Sequence, residues 1–585
     1  QPVKRRCSPR HRRRHNGWQP AIGGAPRMTS TKQPSDTNFR LRPVSDRAAL
    51  LLLSLLAFGL RVYHLTFQSL WRDEVDSIRF AARALPELLR MFTKPGENGP
   101  LFFAALRSWL AVAGQSEFAL RYQAVLAGML AVPLTYALAR RLIAIGSNGS
   151  WQFPHGLTLR NVPLIAALLV ATGPYLVWYS QEGKMYAVLT ALALAACLVF
   201  LRAVEEGRWW QWLLYLALLA ALALTHVLAL LLVAVNVLWL ALLWPRYRRR
   251  WLALALVLLL PLIPFFRLAG WWQLTLLLNP DFQTGHPFVP LPDLVEGLAS
   301  GYLHGLGVLA NPWLITPAVF LILAGVAFSS RQPASRGPDE ADALSPGRWQ
   351  RLRPSAMLLV WLLLPPAALF LLSLSKPLYT DRYVIWIAPA FAILLAQGVA
   401  GLRIVWRPLG WVALAGLLAL SGNGVWRQSH DPIKADLRAA AAYVQAHRQP
   451  DDRIVFQMPY IRHTFEYYAG PQPDAVDGSY TNNGMSAEQV AQEMSAALDS
   501  APATWLVLSE DALWDEAGLV RGWLEENGVR SEDQAFNRVR VMRFTFEPGA
   551  QKRRLAGWGE VDRETAFTTQ LYQVFSTNAI GNLED

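Results

Sequence analysis

Long apolar segments separated by short polar loops fill most of residues 48–426. They run for roughly 16–22 residues, enough to cross about 30 Å of hydrocarbon at about 1.5 Å per residue. The pattern therefore predicts a polytopic α-helical membrane protein with about 11 transmembrane helices. The predicted spans are 48–63, 117–139, 161–178, 185–203, 209–226, 227–244, 251–268, 312–329, 355–375, 384–402 and 408–426.

A shorter apolar segment, 101–114, contains Arg107 and is treated differently. If it spanned the membrane, the basic clusters at 140–141, 246–250 and 348–353 would all face outward. If it lies on the outer surface as an amphipathic helix, those clusters face the cytoplasm, as the positive-inside rule requires. We therefore expect interfacial helices in the first outer loop and a carboxyl terminus outside.

The two ends of the chain are polar. Residues 1–46 are polar and rich in Arg, contain Pro, Gly and Ser, and predict a disordered basic cytoplasmic tail, ahead of a transmembrane domain at 47–426. Residues 427–585 alternate helical patterns (434–447 and 519–527) with strand patterns (453–456, 505–509 and 538–546). This alternation predicts a small C-terminal α/β domain on the extracytoplasmic side.

Composition agrees with this division. The chain is 53% hydrophobic and only 17% charged, and its net charge of +13 is explained by cytoplasmic loops, so we expect no nucleic-acid partner. Of the two cysteines, Cys7 lies in the basic tail and Cys197 in an apolar span, which predicts no disulfide.

Acids, bases and aromatic residues converge on the predicted outer face. Asp73 and Glu74 stand at the hydrocarbon boundary, where a carboxylate is costly, and are candidates for catalysis or for acids of a first helical turn. The other outer candidates are Glu97, Asn98, Glu182, Lys184, Tyr186, His226, Arg382 and Tyr383. Each has a plainer alternative: Glu97 as a solvated loop acid, Lys184 as an interfacial side chain, or Arg382 as a partner of Asp381.

Four segments carry a resemblance: 70–74 (LWRDE), 116–121 (SEFALR), 179–186 (YSQEGKMY), and Arg382-Tyr383 with Pro389. Together, over about 48–400, they resemble the bacterial membrane glycosyltransferases related to protein O-mannosyltransferases and aminoarabinose transferases. The resemblance implies the C-type glycosyltransferase fold and a sugar donor carried on polyprenyl phosphate. It also implies transfer to a hydroxyl acceptor, with inversion, on the outer face of the plasma (inner) membrane.

The resemblance assigns roles to individual residues. Asp73, with Glu74 beside it, matches the family's catalytic acidic residue. As a carboxylate it is the expected general base. Lys184, where relatives commonly have Arg, and Arg382 are the expected ligands of the donor phosphate. The expected substrate-binding residues are Glu182, Tyr186, Tyr383 and Asn98.

The loop before the surface helix departs from the family. Its usual His-Pro-Pro or Lys-Pro-Pro is Asn98-Gly99-Pro100 here, although Glu97 occupies the place of an acid that precedes this motif in aminoarabinose transferases. Glu97 and His226 are the candidate ligands of a divalent metal ion that would assist the phosphate.

A transporter or flippase of a lipid-linked sugar is the alternative function. Charges within the membrane would favour it, but the middles of the predicted spans contain almost none. Repeated halves with broken helices, which are typical of many transporters, do not stand out either.

Overall fold

Most of the described residues before residue 431 are helical. The computed structural model describes residues 45–91, 99–146, 161–247, 279, 287–306, 312–330 and 348–546. Within these ranges, six helices are long and apolar enough to cross a membrane, or up to seven if one bent pair forms a single span. They are Glu117–Gly146, Tyr186–Glu206, Val227–Trp244, Trp349–Ser373, Asp381–Val405 and Arg407–His430, and the bent pair is Val162–Thr172 with Pro174–Ser180.

Other predicted spans are shorter helices. Asp46–Val62, Trp209–Thr225 and Pro312–Ser330 correspond to the spans predicted at 48–63, 209–226 and 312–329. The span predicted at 251–268 lies outside the described residues, as does the tail 1–44. The protein is thus a multi-pass helical membrane protein. Its buried Cys197 is a free thiol, and Cys7 is not among the described residues.

One predicted span is interrupted where the backbone cannot continue as a helix, and another break lies between two predicted spans. Gly173 is extended before Pro174, so the predicted span 161–178 becomes two helices bent by 54°. Arg61, fully buried, donates hydrogen bonds to the carbonyl oxygens of Val170 and Ala171 and so satisfies the end of the first helix. His226 is also extended and separates Trp209–Thr225 from the next helix.

The first loop contains three short helices: Arg72–Ala82, Leu85–Arg90 and Pro100–Ala113. The third, at 14 residues, extends about 21 Å, which is less than the thickness of a hydrocarbon layer. Arg107, on this helix, donates to the carbonyl oxygens of Ala81 and Arg83 at 3.1 and 2.5 Å. The short length of Pro100–Ala113 and its attachment to the end of Arg72–Ala82 agree with an interfacial position.

The remaining helices before the sheet connect or continue the spans. Leu291–His304 is a separate helix. Two of the long spans begin with a 3-10 turn: Val227–Leu230 continues as Leu231–Tyr247, and Asp381–Ile387 continues as Ala388–Val405. The long helix that ends at Ser373 begins at Arg348. The Gly398 backbone lies against Leu321, and a Cβ added there would stand 2.1 Å from the Leu321 carbonyl oxygen. The small residue at this position therefore allows Pro312–Ser330 and Ala388–Val405 to pack closely.

Residues 434–546, called the sheet region below, contain a five-stranded mixed sheet between Arg453 and Thr545. Its strands are β1 (Arg453–Phe456), β2 (Val476–Asp477), β3 (Ala503–Leu508), β4 (Val529–Phe536) and β5 (Val539–Thr545), in the order β2-β1-β3-β5-β4. β1 is parallel to β2 and β3, whereas β5 is antiparallel to β3 and β4. All six residues of β3 are buried because helices cover both faces; these helices are Leu437–His447, Ile461–Ala469, Ala487–Ala497 and Leu519–Asn527.

The sheet region contacts the loop that follows the first helix. Tyr468 Oη accepts a hydrogen bond from the Leu70 backbone N–H at 2.8 Å and donates one to Glu117 at 2.5 Å. Arg438 contacts both oxygens of Glu117, at 2.7 and 2.6 Å. Tyr467 donates to the Gln115 carbonyl oxygen at 2.8 Å. These bonds fix the sheet region beside the helix Arg72–Ala82.

Candidate active site

The helix Arg72–Ala82 carries the acid pair predicted from the sequence. It begins after Trp71, whose backbone is extended, so Asp73 and Glu74 lie in its first turn, where the helix dipole favours negative charge. Successive helical residues point about 100° apart, and the two carboxylates therefore enter different environments.

Glu74 is enclosed completely, with none of its surface exposed. Arg121 donates to both of its oxygens at 2.8 and 2.9 Å, the Gly183 N–H donates to Oε1 at 2.9 Å, and Lys434 donates to Oε2 at 2.9 Å. Burial would raise the pKa of Glu74, but Arg121, Lys434 and the Gly183 N–H lower it to about 2. The geometry thus favours a structural role for Glu74, in contrast with the catalytic role predicted for it.

Asp73 retains some access, with 15% of its side chain exposed. Arg382 Nη2 lies 3.6 Å from its Oδ2, and Arg72 Nε lies 3.9 Å from its Oδ1. Burial raises its pKa, but Lys184, Arg382 and Arg72 outweigh that effect and hold it below the usual value. Asp73 is therefore a carboxylate at neutral pH, surrounded by three cations.

Arg382 has hydrogen-bonding capacity that its neighbours do not use. It belongs to the 3-10 turn Asp381–Ile387, and its guanidinium lies 5.3 Å from the Trp71 ring and 5.8 Å from the Tyr186 ring. In the part of the chain that the structure describes, its Nε and Nη1 are buried without a hydrogen-bond partner. A buried guanidinium with free donors suits an anion such as phosphate.

The other predicted residues lie around this centre. Glu182 is almost fully buried, with Oε1 3.3 Å from Lys434 Nζ, whereas its Oε2 makes no hydrogen bond among the described residues. Lys184 is buried with Nζ 5.9 Å from the Phe103 ring. Burial raises the pKa of Glu182, against the opposing effect of Lys434.

His226 and Tyr383 form one contact, with ring centroids 4.6 Å apart. His226 is buried, and within the described ranges its Nδ1 has no hydrogen-bond partner. Glu97 and Asn98 lie outside the described residues, and a search of those ranges finds no group of three or more His, Cys, Asp or Glu side chains able to hold a metal ion. The predicted divalent metal at Glu97 and His226 therefore stays a prediction.

Three residues near this centre were not among the sequence candidates: Lys434, Arg121, and Glu510, whose Oε2 lies 3.8 Å from Arg72 Nη1. The predicted helix 434–447 begins instead at Leu437, where Asp436 caps it by accepting from the Ala439 N–H at 3.0 Å. Lys434 consequently lies in the connecting segment and reaches Glu74. An Asp directly before an apolar helix is an N-cap signal that indicates this later start. Arg121 stands near the start of an apolar span, where a charged side chain indicates a buried partner. Glu510 lies in a polar segment, and the sequence around it gives no comparable signal.

The site lies at one end of two long helices. Arg121 is near the start of Glu117–Gly146, and Tyr186 begins Tyr186–Glu206. At the other ends of these helices, Arg141 pairs with Glu205 at 2.5 Å. A distance of about 30 Å separates Arg121 from Arg141, because each helical residue rises about 1.5 Å.

Comparison with known proteins gives one family match. Residues 94–272 match the family model of dolichyl-phosphate-mannose-protein mannosyltransferases. This segment includes Lys184 and His226 but neither Asp73 nor Arg382. The match confirms the predicted resemblance to membrane glycosyltransferases. No curated protein matches the chain.

Solved membrane proteins are also similar to this chain. ArnT from Cupriavidus metallidurans bound to undecaprenyl phosphate has a TM-score of 0.46 and 14% identity, with 85% of this chain and 97% of ArnT covered. Its apo structure has a TM-score of 0.47 and 16% identity at the same coverage. The apo oligosaccharyltransferase of Archaeoglobus fulgidus has a TM-score of 0.47 and 12% identity, with 82% and 71% covered.

Proposed function

We propose that this protein is a glycosyltransferase that moves a sugar from a polyprenyl-phosphate donor to a hydroxyl acceptor. The observation that carries the proposal is the pair formed by Asp73 and Arg382: an accessible carboxylate 3.6 Å from a buried guanidinium with two unused donor nitrogens. Glycosyl transfer from a lipid phosphate needs a base and a cation in this proximity. The matching family, described as dolichyl-phosphate-mannose-protein mannosyltransferases, supports the same class of reaction.

In the proposed reaction, the acceptor hydroxyl oxygen attacks the anomeric carbon of the donor. Its proton passes to an oxygen of Asp73, and the bond between the anomeric carbon and the phosphate oxygen breaks. The electron pair of that bond leaves with the polyprenyl phosphate, whose charge Arg382 and Lys184 stabilise. A single displacement of this kind inverts the configuration at the anomeric carbon.

Donor binding also alters Asp73. The same cations that hold its pKa low, Lys184 and Arg382, are the proposed phosphate ligands. A bound phosphate adds negative charge and takes up part of their field, so the pKa of Asp73 rises toward its usual value. Asp73 thus becomes a stronger base when the donor is present, as proton abstraction from the acceptor hydroxyl requires.

The proposed location is the outer face of the membrane. The site lies at the ends of Glu117–Gly146 and Tyr186–Glu206 opposite to Arg141, and basic clusters mark the cytoplasmic side. The sheet region contacts the site through Lys434, so it is proposed to lie outside as well.

Substitution of Asp73 by Asn tests the proposal. The full chain is reconstituted in nanodiscs with a radiolabelled polyprenyl-phosphate sugar, and transfer to extracted cell-envelope acceptors is measured together with binding of polyprenyl phosphate. We expect Asp73→Asn to lower the rate of transfer more than about a thousandfold, because the variant lacks both a general base and a negative charge beside the reacting atoms. Donor binding should persist.

The matched control is Asp76→Asn on the same helix. Asp76 pairs with Arg79 at 3.2 Å and forms no ion pair with Arg382 among the described residues, so this variant should retain transfer. Normal turnover by Asp73→Asn would remove Asp73 from the mechanism. Labelled lipid carried unchanged across sealed vesicles, without transfer, would instead support a flippase.

A further inference from the structure

The sheet region presents one edge to the active site. β2, β1 and β3 are parallel, so their carboxyl ends share an edge, and ligands of α/β sheets bind outside such ends. Tyr460 follows β1 and Glu510 follows β3. Both contact Arg72: its Cζ lies 5.8 Å from the Tyr460 ring, and its Nη1 lies 3.8 Å from Glu510 Oε2.

Arg72 links this edge to the proposed base. Only 8% of its side chain is exposed, and within the described ranges its Nη1 makes no hydrogen bond. Its Nε lies 3.9 Å from Asp73 Oδ1. Both separations exceed a hydrogen bond, so a ligand hydroxyl bound to Nη1 would gain a donor that no neighbour uses.

Glu510 is held in a strained conformation. Its φ of 55° lies in the left-handed region, which a residue with a side chain seldom adopts. The carboxylate is 36% exposed and so remains open to a ligand while it faces Arg72. This backbone conformation places the Glu510 carboxylate, a negatively charged hydrogen-bond acceptor, opposite the unused donor Arg72 Nη1.

Aromatic rings flank the same position. The half-buried Trp514 ring lies 5.8 Å from the Tyr460 ring and 4.6 Å from the Tyr480 ring. Trp514 Nε1 donates to the Gly478 carbonyl oxygen at 2.9 Å, which fixes the indole. Aromatic faces next to a carboxylate and a guanidinium offer both stacking and hydroxyl recognition, the two interactions that a sugar ring uses.

We propose that Glu510, Arg72 and Tyr460 form the acceptor subsite and that the acceptor is a saccharide. This inference rests on the proposed function and names its acceptor class. One sugar hydroxyl donates to Glu510 and accepts from Arg72. Another hydroxyl of the same ring reaches Asp73, gives it a proton, and forms the new bond to the donor's anomeric carbon as the phosphate leaves.

The test separates acceptor use from donor chemistry. The full chain in nanodiscs receives labelled polyprenyl-phosphate sugar with methyl glycosides of glucose, mannose, galactose and N-acetylglucosamine, or with a neutral peptide containing Ser and Thr. Transfer and hydrolysis of the donor are measured separately. Glu510→Gln should lower kcat/KM for glycoside transfer about tenfold to a hundredfold, the scale of one charge-assisted hydrogen bond, while hydrolysis is unchanged.

Two further variants control for folding. Glu510→Gly relieves the left-handed strain, so it should unfold at the same or a higher temperature and still lose glycoside transfer. Glu516→Gln changes an exposed acid nearby and should behave as the unaltered protein.

The possible results distinguish failure of the saccharide subsite from failure of the proposed function. Normal glycoside transfer by Glu510→Gln, transfer to the peptide alone, or donor hydrolysis with no transfer to any glycoside would overturn the saccharide subsite but leave the proposed function standing. Absence of both hydrolysis and transfer in the unaltered protein would remove the proposed function and this inference together.

Discussion

Replacement of Lys434 by Met is the most direct test of how the sheet region completes the site. Lys434 is 8% exposed and lies 2.9 Å from Glu74, which has no exposed surface, and 3.3 Å from Glu182, whose side chain is 4% exposed. Methionine keeps much of the length of the lysine side chain but removes its charge. Glu74 would then keep its contact with Arg121, whereas Glu182 would keep no cation within 4 Å among the described residues.

The expected loss of stability follows from these contacts. Removing one partner of a buried ion pair destabilises by about 3–5 kcal/mol, because the other charge stays buried. Glu74 keeps Arg121 and the Gly183 N–H, so its share of the loss is small. Glu182 loses the one cation found within 4 Å of it among the described residues. We therefore expect Lys434→Met to lower the free energy of unfolding by about 3 kcal/mol at pH 8.

The loss should depend on pH in a defined direction. Burial raises the pKa of Glu182 above that of an unfolded chain, near 4.3, and Lys434 opposes this while Glu74 adds to it and Arg382 opposes it. A group with a raised pKa contributes stability below its unfolded value, and that stability is lost as pH rises through the folded value. Without Lys434 the folded pKa rises further, so the deficit is larger at pH 8 than at pH 5.

Denaturant titration in mixed micelles at both pH values measures the effect. Glu182→Gln combined with Lys434→Met should recover most of the lost stability, since the unpaired charge is gone. Arg427→Met is the control: its pair with Asp431 is 43% and 50% exposed, so its loss should be about 1 kcal/mol or less at either pH. A Lys434→Met protein as stable as the original at pH 8, or no recovery in the double variant, would refute the reasoning.

Two further predictions concern the donor site. Arg382→Lys keeps the charge but loses the planar fork, so we expect KM for the polyprenyl-phosphate sugar to rise about tenfold or more; an unchanged KM in steady-state assays would place the phosphate elsewhere. The lowered pKa of Asp73 should put the acid limb of kcat/KM below the pH at which an ordinary aspartate titrates. Lys184→Met should move that limb to higher pH, because it removes the largest cationic influence on Asp73. An identical pH profile for the two proteins would contradict this assignment.

Much of the architecture could be predicted because it is encoded locally. Apolar runs long enough for a membrane, the break at His226, and three of the five strands (β1, β3 and β5) follow from the spacing of side chains along a few turns or residues, whereas β2 and β4 do not. The cluster around Asp73, Lys184 and Arg382 could be proposed for a similar reason, since charge at a membrane boundary is costly and stands out in sequence.

The tertiary structure decided which of these charges are enclosed and which remain accessible. Asp73 and Glu74 are neighbours in sequence, yet Glu74 is sealed by Arg121, 47 residues away, and by Lys434, 360 residues away. Glu510 reaches Arg72 only because parallel strands bring their carboxyl ends to one edge beside the helix. Such contacts depend on how distant elements pack, and the local periodicity of a chain carries no information about partners so far apart.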